Sequence, residues 1–402
     1  MRAAAVAGRS LIHYPAVGLL ALALLGGCVG FPRGAAVPAS ATTMAIVAQC
    51  NRCRYWPTLD VEPLLADAVL SNQRERAAAP VVPSESALLP ASYLAISGGA
   101  DSGAFGAGLL VGWTRRGDRP TFKVVTGVSA GALIAPFAYL GPSYDDVLER
   151  VAASIGPHDV FHLRNFLSGI LSDAFADTRP LAALIARYIT PDLLSAVARE
   201  YAKGRVLLIG TTDLDARQPV VWDMGAIASS QDPQALLLFR KVLLASAAIP
   251  GIFPPVMIDV TVSGHHYQEM HVDGGVISQV FLFPPPLIQM LVAGRAEEWR
   301  DRTVYIIRNG RIDAQWQPVP RRSTTVARRS IDALIDVQAV NDLYRLEVAA
   351  DQNGEGFNVA YIGSDFNYPH KTLFSARYMH QLFLYSYHLA EEGTPWHRRL
   401  PE

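Results

Sequence analysis

Two glycine-rich segments about thirty residues apart carry the residue types of nucleophilic catalysis. Gly127-Val128-Ser129-Ala130-Gly131 spells Gly-x-Ser-x-Gly. Its outer glycines let the chain turn sharply and hold a serine hydroxyl exposed above a strand end. Upstream, Ser97-Gly98-Gly99-Ala100-Asp101-Ser102-Gly103-Ala104-Phe105-Gly106 offers successive backbone N–H groups at the start of a helix, which is what a developing oxyanion requires. A serine nucleophile also needs a base. Asp273, in His271-Val272-Asp273-Gly274-Gly275, is a carboxylate at a strand end, and the two glycines after it allow close approach to another backbone. His370, His380, His388 and His397 lie in no glycine-rich loop at a strand end, and His380 and His388 fall within a predicted helix. A Ser-His-Asp esterase therefore stays open beside a site in which Asp273 is itself the base. A carboxylate is a weak base at neutral pH, so that role needs a hydrogen bond to Ser129 and a partly dry site.

Rival chemistries are weaker. A dinucleotide cradle needs Gly-x-Gly-x-x-Gly spacing, which Gly103-Ala104-Phe105-Gly106-Ala107-Gly108 does not match, and no ribose-binding acid follows at the right distance. His265, His266, Glu269 and His271 precede Asp273 closely enough to suggest a metal, and alternation puts Glu269, His271 and Asp273 on one strand face. Serine chemistry has no need of a metal, however, and His265-His266 after Gly264 reads as a hairpin turn. No metal and no cofactor are expected. Cys50-Asn51-Arg52-Cys53 runs into Arg54-Tyr55-Trp56-Pro57, a poor helix start. It reads as a local disulfide and not as a redox motif.

The elements around these residues follow an α/β pattern. Strands are expected at Tyr93–Ile96, Phe122–Val125, Arg205–Gly210, Pro219–Asp223, Thr303–Arg308 and Phe357–Ile362, and Thr211–Asp215 reads as a polar turn. Helices are expected at Val61–Ala79, Ala104–Trp113, Ala130–Leu140, Asp145–Ala153, Ala235–Ala248, Ser330–Ala350 and Leu373–Glu392. Thr178–Ala202 is a further helical stretch interrupted at Pro191. Strands alternating with helices argue a mainly parallel central sheet with helices on both faces.

Composition sets the outer limits. Half of the 402 residues are hydrophobic and 18% are charged, so the chain is globular and long enough for one large α/β domain or two modest ones. A net charge of −1 gives no pull toward nucleic acid. Arg321, Arg322, Arg328 and Arg329 read as a solvated surface. Arg2 and Arg9 precede the apolar run Tyr14–Leu25 and Leu25-Gly26-Gly27-Cys28. This looks like a bacterial lipoprotein signal, cut before a cysteine that is then acylated. The run is short of the roughly 20 residues that span a bilayer. Lipid on Cys28 would therefore anchor the protein, and Val29 after it suggests the outer membrane, facing the periplasm. No transmembrane helix is expected.

Gly98-Gly99-Ala100-Asp101-Ser102-Gly103, Gly127-Val128-Ser129-Ala130-Gly131 and Asp273-Gly274-Gly275, in that order, resemble the patatin-like phospholipases, as does Ala245-Ser246-Ala247-Ala248-Ile249-Pro250-Gly251-Ile252-Phe253-Pro254-Pro255. The resemblance covers roughly residues 92–310. It implies a three-layer α/β fold and a Ser-Asp dyad without histidine, with Ser129 as nucleophile and Asp273 as base. It implies an oxyanion hole from the N–H groups of Gly98, Gly99 and Ala100. It further implies lipid or phospholipid acyl esters as substrates. Two positions depart from the family pattern: Ala100 stands where a third glycine is usual, and Ser102 where a cation is usual. The expected organisation is a signal peptide at 1–27, a tether and N-terminal extension at 28–90, a catalytic core at 91–310 and a C-terminal part at 311–402 packed on the same domain. A non-catalytic envelope lipoprotein using the fold as an interaction scaffold is the alternative.

Overall fold

Alternation along Tyr93-Leu94-Ala95-Ile96 sends Leu94 and Ile96 to one side of a strand and Tyr93 and Ala95 to the other, and both sides are buried. That double burial marks a central strand covered on two faces. The computed structural model describes residues 33–47, 50, 52–78, 88–163, 173–282 and 300–401. Within it, Gly34–Glu402 is one compact unit.

The strands are β1 (Arg54–Tyr55), β2 (Ala91–Ile96), β3 (Phe122–Val128), β4 (His162–Leu163), β5 (Ala176–Asp177), β6 (Val206–Asp213), β7 (Gln218–Asp223), β8 (Val256–Val262), β9 (His265–Asp273), β10 (Arg302–Arg308) and β11 (Gly356–Tyr361). The helices are α1 (Glu62–Ala78), α2 (Gly103–Arg116), α3 (Ala130–Leu140), α4 (Asp145–Ser154), α5 (Pro157–Val160), α6 (Arg179–Tyr188), α7 (Pro191–Ala202), α8 (Met224–Ser229), α9 (Ala235–Ser246), α10 (Ser323–Asn353) and α11 (Ala376–Glu392). The main sheet runs β1-β7-β6-β3-β2-β10-β11. Its central pairs β6-β3, β3-β2, β2-β10 and β10-β11 are parallel. The hairpins β6-β7 and β8-β9 and the short β1 add antiparallel pairs at one side.

The sheet is the middle of three layers. Leu94, Ile96, Val125, Leu207, Ile209 and Ile307 face the core shared with Phe105 and Leu109 of α2, Ala135 of α3 and Leu382 of α11. Tyr93, Ala95, Val304, Ile306 and Val359 face the other way, against Leu343, Leu346 and Ala350 of α10. Each fully buried aliphatic or aromatic side chain contributes roughly 1.5–3 kcal/mol, so two such faces fix the strand register against a one-residue slip.

One change of partner matters for the site. β6 pairs with β3 up to Val128 opposite Gly210. There β3 turns away, and β9 takes its place, with Thr211 opposite Asp273. The swap sets the end of β9 beside the end of β3. The C-terminal ends of β2, β3 and β10 meet at the same edge, where open α/β sheets place their sites.

Several expectations need correction. Thr211–Asp213 is not a turn but the end of β6, and the turn follows it. The polar residues are tolerated because they are bonded: Trp222 Nε1 donates to Thr211 Oγ1 at 2.8 Å, and Asp213 Oδ1 accepts the N–H of Asp215 at 2.8 Å. β8 was not anticipated; only Ile258 and Val260 along it are well buried, which weakens its signature. The hairpin turn is at Ser263-Gly264, both at positive φ, and His265 and His266 already belong to β9. α10 is longer than Ser330–Ala350 at both ends. Within the stretch expected as tether and N-terminal extension, 28–90, Gln268 N–H donates to Ala35 O, and Ile46 exchanges backbone hydrogen bonds with Thr261. Among the described residues no single helix is long and apolar enough to cross a membrane. α6 and α7 together pass on length and composition but bend by 62° between them.

Candidate active site

Ser129 sits between β3 and α3 with φ 55° and ψ −123°, a strained conformation for a residue with a side chain. The strain is imposed by crowding. A Cβ on Gly131 would lie 2.2 Å from Ile96 O, and one on Gly127 would lie 2.5 Å from Gly131 O. Only glycine permits this approach, so the motif is a packing requirement as well as a signature. The elbow is clipped from behind: Ser129 N–H donates to Ser246 Oγ at 3.0 Å, and Ser246 Oγ–H donates to Gly210 O at 2.7 Å.

Asp273 stands where β9 replaces β3. Its N–H donates to Ala248 O at 3.0 Å, and its Oδ1 accepts the N–H of Gly275 at 2.7 Å. Its carboxylate faces the Ser129 side chain, which acts to lower its pKa. Burial raises the Asp273 pKa to about 7, against the smaller opposing effects of Ser129 and the Gly275 N–H. The carboxylate therefore changes charge near neutrality, which is what a general base at physiological pH requires.

The glycine loop packs beside the serine. An added Cβ on Gly98 would lie 3.1 Å from Ser129 Cβ, and one on Gly99 would lie 2.0 Å from Asn309 O. Gly98 is not the free donor that was expected, because its N–H is bonded to Gln279 O at 3.0 Å. The N–H groups of Gly99 and Ala100 have no acceptor among the described residues. Ala100 has φ 48°, the left-handed region that costs a non-glycine residue on the order of 1–2 kcal/mol. The residue that departs from the family pattern is thus held in a glycine conformation.

Residues far away in sequence hold this loop, and these the sequence did not reveal. Asn309, after β10, donates from Nδ2 to Ser97 O at 2.8 Å and accepts the Gly106 N–H at 2.9 Å. Arg308 Nη1 donates to Gly98 O at 3.3 Å, from a side chain whose pKa burial lowers. A buried guanidinium from β10 thus stands against the loop in which Ser102 lacks a charge. Gln279 donates to Gly275 O at 2.7 Å, and its own N–H is held by Asp342 of α10 at 2.7 Å.

Ser129 and Ala100 open on an apolar cavity of about 140 Å³ between α3, α4, α6 and α9. Leu133, Ile134, Phe137, Leu148, Ile185 and Phe253 line it, and no charged side chain does. It suits a hydrocarbon chain and excludes an ionic group.

The four histidines are placed elsewhere. His380 and His388 are exposed on α11, His397 stacks on Tyr361, and His370 Nε2 lies 2.7 Å from Asp101 Oδ2. The suspected metal residues also separate. Glu269 and His271 gather with Asp213 within 4.8 Å, while Asp273 faces Ser129. Arg54 Nη2 donates to Glu269 Oε1 at 3.0 Å and supplies the cation in that cluster. Burial pushes the Glu269 pKa up, but the bonds from His271 and Arg54 outweigh it and leave it below its ordinary value. His265 and His266 are exposed at the hairpin. Cys50 and Cys53 form a disulfide with Cα atoms 5.6 Å apart. Cys28 lies outside the described residues.

Residues 94–284 match the family model of patatin-like phospholipases. Among solved structures, the crystal structure of VipD from Legionella pneumophila is similar with 11% sequence identity and a TM-score of 0.38, over 77% of this chain and 68% of that one. The curated proteins give no match.

Proposed function

We propose, for a chain whose residues 94–284 are a patatin-like phospholipase domain, a serine acyl hydrolase that cleaves lipid esters through a Ser129–Asp273 dyad. The observation that carries this reading is a buried Asp273 carboxylate facing Ser129, the residue that opens on a charge-free cavity.

In this mechanism the Ser129 oxygen attacks the ester carbonyl carbon while its proton passes to the Asp273 carboxylate. The tetrahedral oxyanion is met by the N–H groups of Gly99 and Ala100. The carbon–oxygen bond to the alcohol breaks, and Asp273 returns the proton to that oxygen. Water then attacks the acyl-enzyme, giving its proton to Asp273, and the acid leaves as Ser129 is re-protonated. The acyl chain lies in the cavity lined by Leu133, Ile134 and Ile185, and a polar headgroup stays outside it, since burying an unpaired charge there is costly. Lipid on Cys28 would hold the enzyme at the bacterial envelope, beside its substrate.

Hydrolysis of a long-chain p-nitrophenyl ester by the wild-type protein and by Ser129→Ala tests this. Turnover should fall on the order of 10³-fold or more in the variant. Equal turnover in the two proteins would refute the nucleophile. An unreactive wild-type protein would favour the scaffold alternative.

A further inference from the structure

α10 has two apolar sides. Its buried side chains, among them Ala339, Leu343, Leu346 and Ala350, all come from its second half. The first sixteen residues, about 24 Å at 1.5 Å per residue, contribute no buried side chain. They nevertheless carry exposed Val326, Ile331, Leu334 and Val337, with Leu334 70% exposed. At 3.6 residues per turn, Val326, Leu334, Val337, Tyr344 and Val348 share an arc of about 80°. That arc lies opposite the one packed on the sheet. Just before the helix, Trp316 is 88% exposed. A half-helix of this length is marginal in water without a packed face, and an exposed contiguous apolar stripe marks an interaction surface.

The charge around the stripe identifies what it meets. Residues 314–331 contain Arg321, Arg322, Arg328 and Arg329 and no acidic residue, in a chain of net charge −1. Arg321 and Arg322 make no ion pair among the described residues. An apolar helix face with an exposed tryptophan and flanking arginines is the composition of an interfacial helix, which buries its apolar side at the acyl boundary and sets its cations among anionic headgroups. We propose that the outer face of α10, with Trp316 and Arg321–Arg322, docks the protein on an anionic bilayer independently of any lipid anchor.

The same helix supports the catalytic loop. Asp342 accepts the Gln279 N–H at 2.7 Å, and Gln338 donates to Ile277 O just beyond Asp273. The docking itself does not rest on the acyl-hydrolase reading.

Every strand and core cluster described lies within Gly34–Glu402, so the test uses that unit, which lacks Cys28 and the apolar run before it. It carries Ser129→Ala, so that no lipid is consumed. Its co-sedimentation is measured with vesicles of phosphatidylcholine alone and of phosphatidylcholine mixed with phosphatidylglycerol. Binding should favour the anionic vesicles and weaken with salt. It should fall on the order of tenfold or more in Leu334→Glu/Val337→Glu and in Arg321→Glu/Arg322→Glu. These positions are exposed, so circular dichroism should be unchanged. Undiminished binding in both double variants would overturn the proposal. So would a stable dimer in sedimentation equilibrium that Leu334→Glu/Val337→Glu dissolves, since the face would then meet a second copy. Hydrolysis of a short soluble ester by the same variants with Ser129 restored separates the two readings. Unchanged turnover is expected, whereas vesicle binding without any turnover would remove the hydrolase reading and leave the docking surface standing.

Discussion

Nε2 of His370 lies 2.7 Å from Oδ2 of Asp101, an acid inside the glycine loop itself. The same Oδ2 accepts the N–H of Phe374 at 2.7 Å, and Phe374 lines the apolar cavity. His370 also stacks on Tyr378 of α11 with ring centroids 4.2 Å apart. The segment between β11 and α11 is thus strapped across the loop by one ion pair. The hydrogen bond to Asp101 raises the His370 pKa, with partial burial and Arg328 opposing it.

The sign of that shift predicts a pH dependence. A histidine whose folded pKa is raised adds stability that is fully present below its ordinary value of about 6.5 and is lost as pH rises through the folded value. The melting temperature of the wild-type protein should exceed that of His370→Ala at mildly acidic pH, and the gap should close toward alkaline pH. A gap independent of pH between 5 and 9, roughly the range over which histidine changes charge, would show that stacking on Tyr378 and not charge holds the strap.

Asp273 should behave in the opposite way for function and for stability. As a base it must be ionised, so kcat/KM should rise with pH to a plateau above about 7, the value to which burial raises it. Its raised folded pKa means that its contribution to stability is full only below the ordinary carboxylate range and is lost as pH rises through about 7. Asp273→Asn should therefore be inactive yet more stable than wild type at pH 8, by an amount of order a few kcal/mol, and close to wild type near pH 4. Denaturant unfolding at the two pH values measures this. A variant destabilised at pH 8 would contradict the assignment.

Much of this site is legible from residue type because its constraints are local. Gly131 is needed because a Cβ there would lie 2.2 Å from Ile96 O, and Gly127 because one there would lie 2.5 Å from Gly131 O, and that need leaves a motif. Asp273 is flagged by the glycines that let β9 end against Gly210. Ser246, Asn309, Arg308 and Gln279 leave no such mark. Each acts on a segment brought near only by the sheet, as when Asn309 accepts the N–H of Gly106 203 positions away. The engagement of the Gly98 N–H by Gln279 is illegible for the same reason. Thr211–Asp213 read as a turn because polar residues rarely fill a central strand end, and only the partners Trp222 and His271 explain them. The parallel centre of the sheet followed from alternating strands and helices, whereas β8 carries only two well-buried residues and gives little pattern.

The cavity should set acyl length. Leu184 lines it from α6 and is only partly buried, so a larger side chain can be accommodated there without disturbing the core. Leu184→Trp should lower kcat/KM on long-chain esters on the order of tenfold while leaving a short acetyl or butyryl ester near wild type, because only the longer chain reaches that wall. A chain-length series of p-nitrophenyl esters provides the measurement. A uniform fall across the series would mean that the cavity is not where the acyl chain lies.

Reaction with a fluorophosphonate, followed by mass mapping of the labelled peptide, probes the Ser129–Asp273 pair without any assumption about substrate. Labelling should fall on Ser129, should rise with pH through about 7 as Asp273 ionises, and should be slowed on the order of 10³-fold in Asp273→Asn. A label on another residue, or Ser129 labelled as fast in Asp273→Asn as in the wild-type protein, would contradict the dyad.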